Sequence, residues 1–289
     1  MASIGGLIPE FIKYLGSAGR SDSTLVAYKK DLEQLADYLD DKDVGEINKK
    51  DLNNFVKFII KERELTKKTA SRKINSFKTF FKFLIDKKKI SQNPADEIDH
   101  PDVEQNLPRI LSQIEYKAIR DTARGNIRLY TMIEIFLQTG LRIGEVSRLK
   151  LEDAKVETNP IKIIINEFQS NSPRIIELNE TAALALKTYI ESRRDKQNDQ
   201  GYVFNTRTGR NVLVRNIRTA MNRICKKAGV INVRVNDFRN TFICHQIENE
   251  VSLEKTAEYV GHRRLASTEK YLQITQRKTP GTKTQIVAL

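Results

Sequence analysis

Ile161-Lys162-Ile163-Ile164-Ile165 and Arg174-Ile175-Ile176-Glu177-Leu178 are two short runs rich in β-branched residues, separated by a polar stretch with a turn over Gln169–Pro173. Runs of this length and make-up, joined by a turn, predict a β-hairpin. On both sides of it the apolar residues recur at helical spacing. Before the hairpin this predicts helices over Gln113–Ala123 and Ile127–Leu137. After it the predicted helices are Thr181–Arg193, Val214–Ala228, Arg239–Asn249, Ser252–Val260 and Thr268–Ile274. The fold class is therefore mainly α with a small β-sheet. No 20–50-residue repeat and no low-complexity tract interrupts it.

The first hundred residues read as helices alone. Phe11, Tyr14 and Leu15 mark one short amphipathic stripe, and Ser23 or Ser21 caps a second helix carrying Leu25, Tyr28, Leu32, Leu35 and Leu39. Leu52, Phe55, Val56 and Ile59 give a third. In a fourth, Ala70, Ile74, Phe77, Phe81 and Leu84 face one way, while Lys67, Lys68, Arg72, Lys78 and Lys82 occupy much of the remainder. A basic face of this kind is either plain solvated surface or a surface for an anionic partner. Three of the chain's seven prolines, Pro94, Pro101 and Pro108, follow closely and forbid helix continuation. They divide the chain into a helical domain over residues 1–100, a linker over 101–108 and a second domain over 109–289.

The net charge is +13, and it is uneven: residues 1–100 carry 19 Lys and Arg against 16 Asp and Glu, so the excess lies mostly in the second domain. Such a balance favours a nucleic acid or another anionic surface, because each neutralised phosphate releases counterions. Cys225 and Cys244 have no metal-ligand spacing and sit in apolar contexts, as small buried residues of a reducing compartment do. No apolar run reaches the roughly 18 residues needed to span a bilayer. The opening residues lack the pattern of a secretory signal, so a cytoplasmic protein with no membrane partner is expected.

Several enzyme classes lack their signatures. There is no phosphate-binding glycine loop and no H-E-x-x-H. Three histidines and two cysteines, scattered, argue against a catalytic metal cage, and no cofactor follows from the sequence. What remains is a set of cationic and hydrogen-bonding residues and one late tyrosine. Arg142 and Arg239 suit a phosphoryl transition state, because a guanidinium is permanently charged, planar and bidentate. Glu145, at i+3 from Arg142, is placed to orient it. Each residue also has a plainer role available: surface arginines, a helix-end His262, a buried aromatic at Tyr271, and a structural His245.

Taken together these residues resemble the tyrosine recombinases of the phage-integrase and Xer family. Thr139-Gly140-Leu141-Arg142-Ile143-Gly144-Glu145 looks like the family's first arginine box. Asn236-Asp237-Phe238-Arg239, continued by Thr241-Phe242-Ile243-Cys244-His245, stands where the family has His-x-x-Arg. Val260-Gly261-His262 looks like its Leu-Gly-His, and Ser267-Thr268-Glu269-Lys270-Tyr271 like the segment bearing its nucleophile. Ser23-Thr24 through Leu32, and Lys73 through Asn93-Pro94-Ala95, are similar to its core-binding domain.

The resemblance implies an amino-terminal core-binding domain and a mixed α/β catalytic domain that close on DNA as a C-shaped clamp. It implies a homo-tetramer on paired duplexes, each with a specific recombination site. Tyr271 would attack phosphorus to give a 3′-phosphotyrosine and a free 5′-hydroxyl, with Arg142, Arg239 and His262 on the phosphate and Glu145 orienting Arg142. Lys67, Lys68, Arg72, Lys78, Lys82 and Arg174 are the expected DNA contacts. Relatives also pass the tail beyond the tyrosine to a neighbouring subunit.

Two departures stand out. Asn236 replaces the box histidine; it can hydrogen-bond a phosphate but carries no titrating proton. The hairpin lysine that in relatives protonates the leaving 5′-oxygen is absent, its place taken by Gln169, and no lysine lies between Lys162 and Lys187. Lys162 and Arg174 are the candidates to stand in. Alternative readings are a recombinase-derived DNA-binding accessory protein, which the missing lysine favours, and a type IB topoisomerase.

Overall fold

The computed structural model describes residues 2–104, 107–168, 172–193, 199–275 and 280–289. The chain divides into two compact units, residues 1–106 and 107–289.

The first unit is helical: α1 (Ile4–Ser17), α2 (Asp22–Tyr38), α3 (Lys49–Lys61) and α4 (Lys67–Asp86). Each begins at a polar residue, Ser3, Ser21, Asn48 or Thr66, whose side chain accepts a hydrogen bond from a first-turn amide. Ser21 rather than Ser23 is thus the cap of α2. Ala70, Ile74, Phe77, Phe81 and Leu84 of α4 are wholly buried, as their spacing predicts, but Phe80 and Phe83 are buried too. Phe83 packs 5.3 Å from Phe11 and 4.9 Å from Tyr14, ring centre to ring centre. The helix is enclosed on more than one side, and each buried phenylalanine contributes about 1.5–3 kcal/mol.

Its basic face is also less free than its sequence implies. The buried carboxylate of Asp31 accepts two hydrogen bonds from Arg72 (2.6 and 2.7 Å), one from Lys73 (2.8 Å) and one from Ser76 (2.7 Å). Burial opposes the charge on Asp31, yet these donors outweigh it and hold the carboxyl below its ordinary value.

In the second unit come α5 (Gln113–Ala123), α6 (Ile127–Thr139), α7 (Ile143–Arg148), β1 (Ala154–Lys155), β2 (Lys162–Ile165), β3 (Arg174–Glu177), α8 (Glu180–Glu191), α9 (Val214–Lys227), α10 (Val235–Glu248), α11 (Leu253–Val260) and α12 (Ala266–Glu269), then a 3-10 turn at Lys270–Gln273. The strands form one antiparallel sheet in the order β1-β2-β3, with Lys162 opposite Glu177 and Ile165 opposite Arg174. Ile163, Ile165 and Ile176 point into the core. Every residue of α6 from Thr131 to Thr139 is buried, and Phe136 meets Phe238 of α10 at 6.3 Å. No helix among the described residues is long and apolar enough to cross a membrane.

In the single chain the tail docks on its own unit. Ser252 donates to Lys283 O and Lys283 to Glu250 O, both at 2.8 Å. The side-chain amides of Gln246 and Gln138 each bond twice to the backbone, of Val287 and of Leu289 respectively, at 2.8–2.9 Å.

Candidate active site

Helix α11 ends at Gly261, which adopts the left-handed conformation at φ +68°. The carbonyls of a helix's last turn have no partner within the helix and carry the negative end of its dipole. Here three arginines supply the donors. Arg174 Nε reaches Tyr259 O at 2.8 Å, Arg239 Nη2 reaches Val260 O at 2.7 Å, and Arg142 Nη2 reaches Gly261 O at 2.6 Å. A Cβ at Gly261 would lie 2.8 Å from Arg174 Nη1 and 3.2 Å from Arg142 Nη1, so the glycine serves both the turn and the close approach. Gly140, left-handed at the end of α6, receives the other nitrogen of Arg239 on its carbonyl. Residues far apart in sequence thus converge on one helix end.

Glu145 binds the cluster together. Its buried carboxylate accepts from Arg142 Nη1 at 3.2 Å and from both terminal nitrogens of Arg174 at 2.9 Å. Burial works against the ionised form, but the hydrogen bonds and charge of Arg174, then those of Arg142, prevail and lower its pKa. Arg239 is pulled down to about 9, by burial first and by Arg142 next, so it remains charged at neutral pH.

His262 follows directly. Burial, then Arg239 and Arg142, push its pKa down to about 3, so the imidazole is neutral. Its Nδ1 lies 2.8 Å from Oγ1 of the buried Thr268. Tyr271 sits in the 3-10 turn with only 3% of its surface exposed. Burial raises its pKa to about 12. Its hydroxyl donates to Asn240 Oδ1 at 2.8 Å, and the same oxygen accepts from Asn236 Nδ2 at 3.0 Å.

The structure brings Arg142, Glu145, Arg239, His262, Asn236 and Tyr271 into one region and separates others from it. Arg174 is 7% exposed and spends its donors on Glu145 and Tyr259 O, so it is neither an open DNA contact nor a free proton donor. Sequence displays its charge, not its burial. Lys162 pairs with Glu177 at 3.0 Å, three residues along the strand from Ile165, the partner of Arg174. It also faces away from the core-facing Ile163 and Ile165, and so cannot replace a lysine at the hairpin tip. Gln169 lies outside the described residues. On α4, Lys67, Lys68 and Lys82 are exposed, Lys78 donates to Asp96 O, and Arg72 is tied to Asp31.

The sequence reading missed Asn240. Its only signal was the i, i+4 spacing from Asn236. It also passed over the cations of α9, a helix it did predict: Arg215, Arg218, Arg223, Lys226 and Lys227 are exposed and make no ion pair among the described residues. His245 bonds Ala288 O at 2.7 Å and belongs to the tail's dock.

The family model for the phage integrase family matches residues 104–278, more than half the chain, and that for the family's N-terminal SAM-like domain matches residues 8–88. The chain belongs to the phage integrase family, the tyrosine recombinases. Within it the chain is similar to the Xer type. Tyrosine recombinase XerD of Oceanobacillus iheyensis is 28% identical over 282 residues, 93% of this chain and 94% of the relative. Tyrosine recombinase XerC of Leptospira interrogans is 24% identical over 286 residues, covering 96% and 91%. Among solved structures, the Tn1549 transposon integrase in complex with transposon right end DNA superposes with a TM-score of 0.82 at 20% identity, covering 96% of both chains. A lambda integrase dimer bound to a COC′ core site gives 0.74 at 16% identity, over 98% of this chain and 81% of that one. At these identities the likeness shows the fold: a mainly helical recombinase fold with a small sheet.

Proposed function

We propose that Tyr271 is the nucleophile with which this site-specific recombinase cuts and rejoins double-stranded DNA. The observation that carries the reading is the convergence of Arg142, Arg239 and neutral His262 at the end of α11, with the hydroxyl of Tyr271 held by Asn240, the residue after Arg239. Attack by the phenol on phosphorus conserves the bond energy in a phosphotyrosine, so rejoining needs no other energy source. Arg142 and Arg239, already fixed by backbone carbonyls and Glu145, present charge where the non-bridging oxygens become more negative. Neutral His262, its Nδ1 engaged by Thr268, has Nε2 left for a phosphate oxygen. Asn236 offers a further amide.

The helical unit is the core-binding domain, with Lys67, Lys68 and Lys82 toward the DNA backbone, and residues 109–289 form the catalytic domain, with α9 adding cations. Exchange between two specific sites requires paired duplexes, hence a homo-tetramer, acting in the cytoplasm.

The test is a covalent trap. A nicked duplex carrying the sequence that the full chain selects from a random DNA pool should yield a covalent protein–DNA adduct at its 3′ phosphate. Tyr271→Phe should bind the duplex and form none. Binding without any adduct by the native chain would leave an accessory DNA-binding protein. Relaxation of supercoiled plasmid lacking the selected sequence would indicate a topoisomerase.

A further inference from the structure

Arg148 closes α7, the short helix that opens after Arg142 and carries Glu145. The other arginines of the cluster are committed: Arg142 and Arg174 to Glu145 and to carbonyls of α11, Arg239 to two carbonyls. Arg148 is different. Its guanidinium lies 3.7 Å above the centre of the Phe168 ring, and it folds back so that a Cβ on Gly144 would come 3.3 Å from its Nη1. Among the described residues it makes no hydrogen bond and no ion pair. The acids nearby are otherwise engaged or turned out: Glu145 is held by Arg142 and Arg174, Asp153 accepts from Asn166 at 2.9 Å, and Glu167 is exposed.

A cation stacked on an aromatic face is oriented without being neutralised. Arg148 lines a cavity of about 210 Å³ with Glu145, Ile165, Asn166, Phe168 and Tyr202, so the cavity lies between Glu145, the carboxylate that joins Arg142 to Arg174, and the residues that follow β2. Burial weighs against the charge of Arg148 and lowers its pKa, and Glu145 works the other way. A half-buried guanidinium in that position lacks only an anion.

We propose that Arg148 is a further catalytic residue, whose guanidinium meets the oxygen that leaves phosphorus when the DNA strand is cut. This rests on the reading of Tyr271 as the nucleophile. In that step the bond from the Tyr271 phenolic oxygen to phosphorus forms as the bond from phosphorus to the 5′-oxygen breaks. The tyrosine's proton passes to water, and the leaving oxygen, anionic as it departs, takes a proton from water. Arg148 stabilises that oxygen through its N–H donors and charge while keeping its own proton, as a guanidinium must. It thereby supplies the leaving-group cation that Lys162 and Arg174 are placed too far away, or bound too fully, to supply.

The experiment compares the nicked duplex selected above with the same duplex bearing sulfur in place of the 5′-bridging oxygen. A thiolate is a far weaker base than an alkoxide and leaves without a cation or a proton. Arg148→Ala should slow adduct formation on the oxygen substrate by roughly a hundredfold, the scale of losing one transition-state donor. On the sulfur substrate it should come within a few fold of the native chain. Arg142→Ala should stay slow on both. Arg148→Lys should retain part of the oxygen rate, and Phe168→Leu, which loosens the stack, should give a smaller loss with the same rescue. Native rates for Arg148→Ala on oxygen overturn the proposal; equal losses on oxygen and sulfur, which a misfolded variant would also give, overturn it unless Arg148→Lys, which keeps the charge, shows an oxygen-selective loss. Adducts from Tyr271→Phe, or none from the native chain on either substrate, would instead overturn the reading beneath it.

Discussion

The phenolic hydroxyl of Tyr271 donates to the side-chain oxygen of Asn240 at 2.8 Å, from a 3-10 turn to the middle of α10. Asn240 immediately follows Arg239, so one helix carries both the arginine we propose for the phosphate and the acceptor of the tyrosine we propose as nucleophile. An amide oxygen cannot take the phenol's proton at neutral pH, so Asn240 positions Tyr271 rather than activating it. Asn240→Leu would leave a buried hydroxyl without an acceptor. The expected cost is about 1–3 kcal/mol of unfolding free energy, read from denaturant midpoints, with a clear fall in adduct yield. Asn240→Asp, which keeps the acceptor, should preserve adducts. Equal loss in both variants would show that the hydrogen bond is not what matters.

Glu145 carries a pH signature. Its folded-state pKa lies below its ordinary value of 4.5. Its stabilisation is therefore complete above about pH 4.5 and is lost as pH falls through the lower, folded value. Glu145→Gln strips Arg174 of its buried partner, at a cost of about 3–5 kcal/mol near neutrality. The gap between native chain and variant should then close as pH is lowered. Urea midpoints measured from pH 7 to pH 3 check this; a constant gap would mean that Glu145 is not the ionised partner of Arg174.

Much of this architecture was legible because periodicity reports burial. The hairpin strands, α5, α6 and α9 fall within a residue or two of their expected ends. Helix α7, at six residues, and β1, at two, are too short for any period to show. Helix α10 begins at Val235, four residues before the expected Arg239, because Asp237 caps it by accepting from the Arg234 amide at 2.8 Å. The chemical residues were legible as types but not as states. Arg174 reads as an exposed cation but is buried against Glu145, and Arg72, though exposed, is paired by three-dimensional contact with Asp31. Arg148 carried no pattern at all, since what sets it apart is its contact with Phe168, twenty residues on and just after β2.

The two kinds of charge on α4 should separate by experiment. Lys68→Ala and Lys82→Ala remove exposed cations and should each flatten the plot of log K against log salt by up to about 0.9, if each neutralises one phosphate. Thermal stability should hardly change. Arg72→Ala removes two of the donors on buried Asp31, so it should lower the melting temperature. A large change of salt slope with unaltered stability in Arg72→Ala would return that residue to the DNA surface.

The tail offers the last test. Gln138 and Gln246 are buried, and each amide pairs with one backbone N–H and one backbone C=O, of Leu289 and Val287. The alternate spacing is that of an extended strand, read through its backbone. Each net hydrogen bond is worth about 0.5–1.5 kcal/mol, and losing the tail would also strip the buried amide of Gln246 of both partners, while Gln138 would keep the bond that Asn179 donates to it at 2.6 Å. In the DNA-free chain the amide protons of Val287 and Leu289 should therefore be protected from exchange to the same degree at all protein concentrations, because the dock is intramolecular. Gln138→Ala with Gln246→Ala should abolish that protection. Protection that grows with concentration would mean the tail is bound by a second copy instead. Because the dock reads mainly backbone, an identical tail from a neighbour would satisfy the same glutamines, so deleting residues 282–289 should destabilise the free chain and weaken cooperative binding on DNA together. Loss of only the second would place the tail's work wholly between subunits.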